Sequence, residues 1–172
     1  TNLTGGSFPG ASLWRANLLQ AIVQDVDLSG ADLTEATFHA VNLSGSNFAG
    51  ATMIRTSLTK TNMIGVNLSG ADLTGANLSE AKLHDADMRG ANMHKADLPT
   101  ADMTGANLRG ASFEDANLTW STMVNADLRG VNFSKANLGS ADLSGADLSG
   151  ANLTGARFCK TKMPTGMDNS DC

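Results

Sequence analysis

A period of five residues runs through almost the whole chain and restricts what it can fold into. From Leu3 in steps of five to Met163, all 33 positions hold Leu, Met, Phe or Val. Two residues before each stands a small residue, Ala in 22 of the 33 cases, and the residue between is Asn or Asp in 22 cases. A period of five matches neither a helix, with about 3.6 residues per turn, nor a flat strand, with a period of about 2. It predicts a very short strand followed by a corner, with the small and the large apolar residue both facing inward.

A second period, of twenty residues, is carried by glycine and predicts the size of one coil. An unbroken glycine column runs through Gly10, Gly30, Gly50, Gly70, Gly90, Gly110, Gly130 and Gly150. Four pentapeptides would then form each coil, and about eight coils at about 4.8 Å each would give a rod roughly 39 Å long. Such coils bury their apolar residues only by stacking on each other, so all 33 central residues should be buried, with Phe113 directly under Phe133.

The glycine column predicts the corner geometry. A type II turn needs a positive φ at its third residue, which glycine adopts without a steric penalty. We therefore expect type II turns along the whole Gly10–Gly150 column. The alternative is a smooth edge at which the backbone of a partner comes close.

The repeated unit A-(D/N)-L-x-x closely resembles the pentapeptide-repeat family, and the resemblance covers residues 1–163. It implies an all-β fold, a right-handed quadrilateral β-helix (solenoid) with four pentapeptides per coil, often dimeric. Residues 164–172 break the repeat and are expected to form a C-terminal capping tail. The resemblance defines the fold much better than it defines a function.

The tail contains the two cysteines of the chain. Pro164 and Gly166 indicate a turn away from the coil, after which Met167 is expected to fold across the open core. A Cys159–Cys172 disulfide would lock this cap and stabilise it by about 3 kcal/mol through chain entropy; two free thiols in a reducing compartment are the alternative. The ending F-C-x-T-x-M-P-x-G…C resembles cyanobacterial and chloroplast-lumen family members, which implies a thylakoid lumen or periplasm rather than the cytoplasm.

Two columns of charged residues follow from the twenty-residue coil. Arg89, Arg109 and Arg129 would stack beside the glycine corner, where Asp87 and Asp127 on the same face can neutralise them. We expect a solvated ladder, with a docking strip for an anion or a partner as the alternative. A second column, expected to form stacked ion pairs worth about 0–1 kcal/mol each, contains Arg15, Glu35, Arg55, Gly75, Lys95, Asp115, Lys135 and Gly155.

Nothing in the sequence predicts an active site, a metal site or a cofactor. His39, His84 and His94 fall on three different faces, and no histidine stands beside a nucleophile with a third orienting group. The net charge of −5 argues against nucleic acid as a ligand. No apolar run approaches the roughly 18 residues that would predict a membrane helix.

The N-terminal end is expected to be apolar and open. The first coil leaves its central residues uncovered from one side, and three further apolar residues should point outward and form a patch. Either a capping segment is missing or the end takes part in end-to-end association, as in a homodimer or a partner contact centred on the first two coils. The central residues are Leu3, Phe8, Leu13 and Leu18, and the outward residues are Trp14, Leu19 and Ile22.

The sequence therefore favours a non-enzymatic structural or interaction module, a rigid rod that docks an unknown protein partner through a face or an end. The alternative is a mimic of duplex DNA that inhibits a type II topoisomerase, a role known for some relatives of the family. That role needs a long acidic face. Here the acidic residues are scattered, and the three stacked arginines interrupt one face.

Overall fold

Parallel bridges between residues twenty apart define the architecture. The computed structural model describes residues 2–172, so Thr1, the first small residue of the repeat, lies outside the described part. Isolated parallel bridges run from Asn2↔Ile22 at one end to Asp142↔Lys162 at the other. The twenty-residue spacing indicated by the glycines is thus the spacing of the bridges. No helix among the described residues is long and apolar enough to cross a membrane.

Each pentapeptide makes the same set of backbone hydrogen bonds. The amide of Leu73 donates to the carbonyl of Asn92 in the next coil (2.7 Å), and the amide of Asn92 donates back to Ala71 (2.9 Å). At the corner, the amide of Ala76 donates to the carbonyl of Leu73 (2.9 Å), which closes a four-residue turn. Its third residue, Gly75, has φ 64°, as a type II turn requires.

Positive φ values occur at every corner and not only along the glycine column. The eight glycines from Gly10 to Gly150 have φ between 63° and 72°, as predicted. However, 17 non-glycine residues at the other corners also have a positive φ, among them Arg15 at 55° and Trp120 at 62°. A side chain at Gly110 would meet no atom within 4 Å. Backbone conformation therefore does not explain why this one corner holds only glycine.

The Asn and Asp residues of the repeat cap the corner that follows them. A side-chain oxygen accepts a hydrogen bond from the amide two residues later, as from Thr34 to Asp32 (3.0 Å). This Asx turn forms at 21 of the 22 Asn and Asp positions. The exception is Asp97, because the residue two further on is Pro99, which has no amide proton.

The interior is a continuous column of the repeated apolar side chains. Every central residue from Leu18 to Leu143 is buried, and Phe113 stacks on Phe133 with ring centroids 5.4 Å apart, as predicted. The prediction that all 33 central residues are buried is wrong at the two ends, because an end coil has a neighbour on one side only. The central residues that remain partly or fully exposed are Leu3, Phe8, Leu13, Leu148, Leu153 and Met163.

A short hairpin lies at the C-terminal end. Strand β1 (Thr161–Met163) pairs antiparallel with β2 (Gly166–Asp168), and β1 also continues the parallel ladder through Lys162. Met163 packs against the core, whereas Met167 is 56% exposed. The prediction that Met167 covers the core is therefore wrong. It lies opposite Lys162 in the hairpin, and directly opposed residues face the same side, here the solvent.

Candidate interaction surfaces

The N-terminal end of the rod exposes an apolar cavity. A cavity of about 120 Å³ is lined by Leu3, Phe8, Ala11, Leu13 and Leu28. Phe8 occupies a central position of the repeat, yet it is 39% exposed. No coil of the described residues covers this end, so the aromatic ring is open to the solvent from one side.

Three further apolar residues of the first two coils are exposed, as the sequence predicted. Trp14 is 54% exposed, Leu19 47% and Ile22 50%. The Arg15 guanidinium lies over the Trp14 ring, 4.3 Å from its centroid, and this cation–π contact holds one face of the ring. We call these three residues together with Phe8 the N-terminal apolar patch; its role in docking stays a prediction.

The parallel ladder is interrupted at Ile22. Bridges join Asn2 to Ile22 and Asn42 to Asn62, but among the described residues the bridge between Ile22 and Asn42 is missing. Ile22 stands where the repeat usually has Asn or Asp, so its side chain cannot accept the amide of Gln24 in an Asx turn. The patch therefore lies on the least regular part of the ladder.

The C-terminal tail is attached to the last coil by a disulfide and by backbone hydrogen bonds. Cys159 and Cys172 are disulfide-bonded, with their Cα atoms 4.8 Å apart. The amide of Asp171 donates to the carbonyl of Phe158 (2.8 Å), and the amide of Phe158 donates to the Asp171 carboxylate (2.7 Å). Phe158 is only 9% exposed, and the capping role of the tail stays a prediction.

The arginine strip, Arg89, Arg109 and Arg129, is neutralised at its two ends. Arg89 donates two hydrogen bonds to Asp87 (2.8 and 2.7 Å), and Arg129 donates two to Asp127 (2.8 and 2.6 Å). These side-chain hydrogen bonds are the main cause that lowers the pKa of both carboxyl groups below the ordinary aspartate value. Two of the three arginines therefore belong to bidentate pairs within their own coil.

The middle arginine lacks such a pair. Position 107 is Asn, whose side chain accepts only the backbone amide of Arg109 (3.3 Å). No carboxylate of residues 2–172 forms an ion pair with the Arg109 guanidinium. The three arginines line an open groove of about 530 Å³ together with Gly110 and Gly130. The expectation of a fully neutralised ladder is therefore wrong at its centre.

The second charged column forms ion pairs over part of its length. Glu35 accepts a hydrogen bond from Arg15 of the coil before it. At the other end, Lys135 lies 3.6 Å from Glu114 rather than pairing with Asp115 of its own column. The predicted stacked ladder is thus present from Arg15 to Arg55. It is wrong from Lys95 to Lys135: within residues 2–172, Lys95 and Asp115 form no ion pair, and the longer Glu114 side chain at the neighbouring corner position reaches Lys135.

A polar groove of about 520 Å³ lies on another face, lined mainly by Glu80, Lys82, His84, Thr100 and Asp102. His84 Nε2 lies 2.9 Å from the Asp102 carboxylate. The other two histidines occupy different columns, and within the described range no three potential ligands converge on one point. The groove thus contains one isolated imidazole–carboxylate contact, and its chemistry does not extend to a third group.

One exposed aromatic residue was missed by the sequence reasoning. Trp120 is 67% exposed and stands at the third position of a turn with φ 62°. A bulky residue in this backbone region is uncommon. The available signal was its number: residues at multiples of five are corner residues, so a tryptophan there had to point outward.

Comparisons with known proteins agree on the family. The family profile "Pentapeptide repeats" matches eight copies, over residues 1–34, 31–70, 67–105, 101–130, 111–150 and 126–163. HetL, a pentapeptide repeat protein involved in heterocyst differentiation regulation in the cyanobacterium Nostoc, is 30% identical over 96% of this chain and 90% of its own, with a TM-score of 0.44. No curated protein matched.

Two further solved structures are similar. QnrB1, a plasmid-mediated fluoroquinolone resistance protein, is 17% identical over 88% of each chain with a TM-score of 0.55, which concerns the fold alone. A pentapeptide repeat protein from the Arabidopsis thaliana thylakoid lumen is 28% identical over 67% of this chain and 66% of its own, with a TM-score of 0.47. With its eight matched copies, this chain belongs to the pentapeptide repeat family.

Proposed function

We propose that the chain is a non-enzymatic interaction module, a right-handed four-sided β-helix that docks a protein surface through its N-terminal end. The observation that carries the proposal is the N-terminal apolar patch, in which Phe8 is 39% and Trp14 54% exposed beside an apolar cavity. Covering a large apolar side chain is worth about 1.5–3 kcal/mol. Contiguous exposed apolar patches of sufficient size mark protein interaction sites.

The occupant that fits this end best is a second copy of the chain. In the ladder, each middle residue donates its amide to the preceding coil and accepts from it, as Asp32 does with Ala11 and Leu13. The middle residues of the first coil, such as Ser7 and Ser12, have no preceding coil among residues 2–172. Two such edges, meeting head to head about a two-fold axis, would offer each other both donors and acceptors around an apolar centre.

Sedimentation velocity over a range of concentrations tests the proposal. The wild-type protein should form a dimer, and the Trp14→Asp, Leu19→Asp double variant should sediment as a monomer at the same concentrations. Trp120→Asp is the matched control, because it removes another exposed tryptophan far from the end, and it should still dimerise. A wild-type monomer at the highest concentration would overturn the second copy as occupant and leave another protein, or a chain segment ahead of Thr1, as the cover.

We also propose that the protein works in an oxidising compartment, a thylakoid lumen or periplasm. The Cys159–Cys172 disulfide supports this, because such bonds persist outside reducing cytoplasm. The protein should be isolated from its source cells in the presence of a thiol-alkylating reagent and analysed by mass spectrometry without reduction. Unmodified, linked cysteines are expected. Alkylation of both cysteines would instead favour the cytoplasm.

The DNA-mimic alternative finds less support in the charge distribution. Asp87 and Asp127, which would belong to an acidic face, are each paired with an arginine on the same face. We therefore expect the purified protein to leave supercoiling by a bacterial type II topoisomerase unchanged at micromolar concentration. Inhibition that a DNA duplex relieves by competition would revive the alternative.

A further inference from the structure

We propose that Arg109 anchors a carboxylate of an acidic peptide segment that lies along the arginine strip. This surface is separate from the N-terminal apolar patch. The proposal concerns the chemistry of a second contact and does not depend on the first. It rests on a difference between three arginines in equivalent positions.

The first step is the comparison of the three arginines. Arg89 and Arg129 each hold the aspartate two residues before them in a bidentate pair. Arg109 has Asn107 at that position, and the uncharged amide leaves the guanidinium without a bidentate carboxylate partner, although its charge contributes to the lowered pKa of Asp127. A guanidinium has five N–H donors in a planar fork that matches a carboxylate. The strip thus contains two bidentate arginine–aspartate pairs and one arginine, Arg109, that lacks the aspartate of such a pair.

The second step is access. The groove beside Arg109 measures about 530 Å³ and is bordered by Gly110 and Gly130. At both glycines the space that a Cβ would occupy is open, with no atom within 4 Å. A peptide backbone can therefore approach the corner closely enough for its carboxylate to form a bidentate pair with Arg109.

The third step is the choice of a peptide over a nucleic acid. The unpaired Arg109 is bordered by Asp87 and Asp127, and Arg129 also lies 3.8 Å from Asp147. A nucleic acid carries a phosphate at every nucleotide and needs consecutive free cations, whereas here the free cation is isolated between ion pairs. An acidic peptide carries its carboxylates on flexible side chains, so one of them can reach Arg109 while the others turn to the solvent and away from the flanking aspartates.

The test measures binding of a fluorescein-labelled hexaglutamate peptide at low salt. Asn107→Asp should bind it at least fivefold more weakly than the wild type, because Arg109 would then be held in the same pair that Asp87 forms with Arg89. Arg109→Gln should weaken binding to a similar extent. Asn67→Asp is the matched control for charge: it adds the same carboxylate in the same column, but Ser69 rather than an arginine follows it, and binding should change less than twofold.

Three outcomes would overturn the proposal. The wild type could bind hexaglutamate no better than hexaglutamine, Asn107→Asp could bind like the wild type, or a twelve-nucleotide single-stranded DNA could compete more strongly than the peptide. Circular dichroism checks that each variant is folded, and Asp at position 107 keeps the Asx turn. The Trp14→Asp, Leu19→Asp variant should bind hexaglutamate like the wild type, which separates failure here from failure of the end-docking proposal.

Discussion

Two phenylalanines at equivalent positions of the repeat experience different surroundings at the two ends of the rod. Phe8 lies in the first coil and is 39% exposed, whereas Phe158 lies in the last coil and is 9% exposed. The Phe158 carbonyl accepts a hydrogen bond from the amide of Asp171 in the disulfide-bonded tail, and the Phe158 amide donates to the Asp171 carboxylate. Phe8 has only its own coil and the next one to pack on. Within residues 2–172, the same pentapeptide chemistry therefore gives a C-terminal end that the tail partly covers and an N-terminal end without such a cover.

The departures from the repeat consensus are also concentrated at these ends, and their chemistry differs. Near the C-terminus, Cys159 and Pro164 are residues that end a solenoid and fix a tail. In the first two coils, Ile22 is the one apolar residue among the middle positions of the repeat, Leu19 adds a second exposed apolar side chain, and the ladder loses a bridge at Ile22. Irregularity thus stabilises one end and exposes apolar surface at the other.

Truncation of the two phenylalanines should produce the largest contrast. Phe158→Ala is expected to lower the free energy of unfolding by about 3–5 kcal/mol, as for a buried phenylalanine, and Phe8→Ala by about 1 kcal/mol, because its ring is partly solvated already. Denaturant unfolding followed by circular dichroism measures both. Equal losses would mean that Phe8 is covered in solution, as it would be in a dimer. The two alanine variants should therefore also be compared in the Trp14→Asp, Leu19→Asp background.

Loss of the disulfide should have the next largest effect. Cys172→Ser should lower the free energy of unfolding by about 3 kcal/mol, since the bond closes a loop of thirteen residues' separation. A reducing agent should give the same loss in the wild type and no further loss in the variant. Hydrogen exchange should rise in β1 and β2 and stay unchanged around Trp14; faster exchange at the N-terminal end would contradict the view that the two ends are independent.

Much of this contrast could be predicted, because the five-residue and twenty-residue periods are visible in the amino-acid sequence. The five-residue period identified Leu18 and Leu143 as core residues, and the twenty-residue period gave the bridges. The exposure of Trp14 and Ile22 followed from the same counting. Position in the repeat therefore predicts on which side of the chain a side chain lies.

Position in the repeat does not predict what a side chain touches across coils. The pairing of Lys135 with Glu114 instead of Asp115 depends on side-chain length and direction, and the exposure of Met167 depends on the register of a hairpin outside the repeat. The missing partner of Arg109 is a different case, because Asn107 stands in the sequence where Asp87 and Asp127 stand before the other two arginines, and the difference could have been predicted. Periodicity assigns columns, and contacts within and between columns need the coordinates.

Acid should destabilise the C-terminal end of the rod. Hydrogen bonds from Ser144, followed by those from Lys162, lower the pKa of Asp142 below its ordinary value of about 3.9. A lowered folded-state pKa contributes stability that is complete above the unfolded value and is lost as pH falls through the folded value. The melting temperature should therefore drop below about pH 4, and Asp142→Asn should reduce this dependence by the share of one carboxyl group, because other aspartates such as Asp87 and Asp127 also have a lowered pKa. An unchanged pH profile in the variant would show that Lys162 and β1 are held in place without this carboxylate.

The smallest expected effect is a gain at the open end. Ile22→Asn restores the residue type that the repeat uses at this position, so that its side chain can accept the amide of Gln24, which no Asx turn now caps. A hydrogen bond of this kind stabilises by about 1 kcal/mol or less, and the variant also removes a side chain that is 50% exposed. Unfolding of the monomer, measured at low concentration, should move to higher denaturant, while dimer formation in sedimentation should weaken.

Asn42→Ala serves as the opposite control, because it removes an existing Asx turn on the facing coil and should destabilise the monomer. If Ile22→Asn instead destabilised the monomer, Ile22 would be a residue that the fold needs for packing. Its exposure would then no longer be evidence that the N-terminal apolar patch serves a contact.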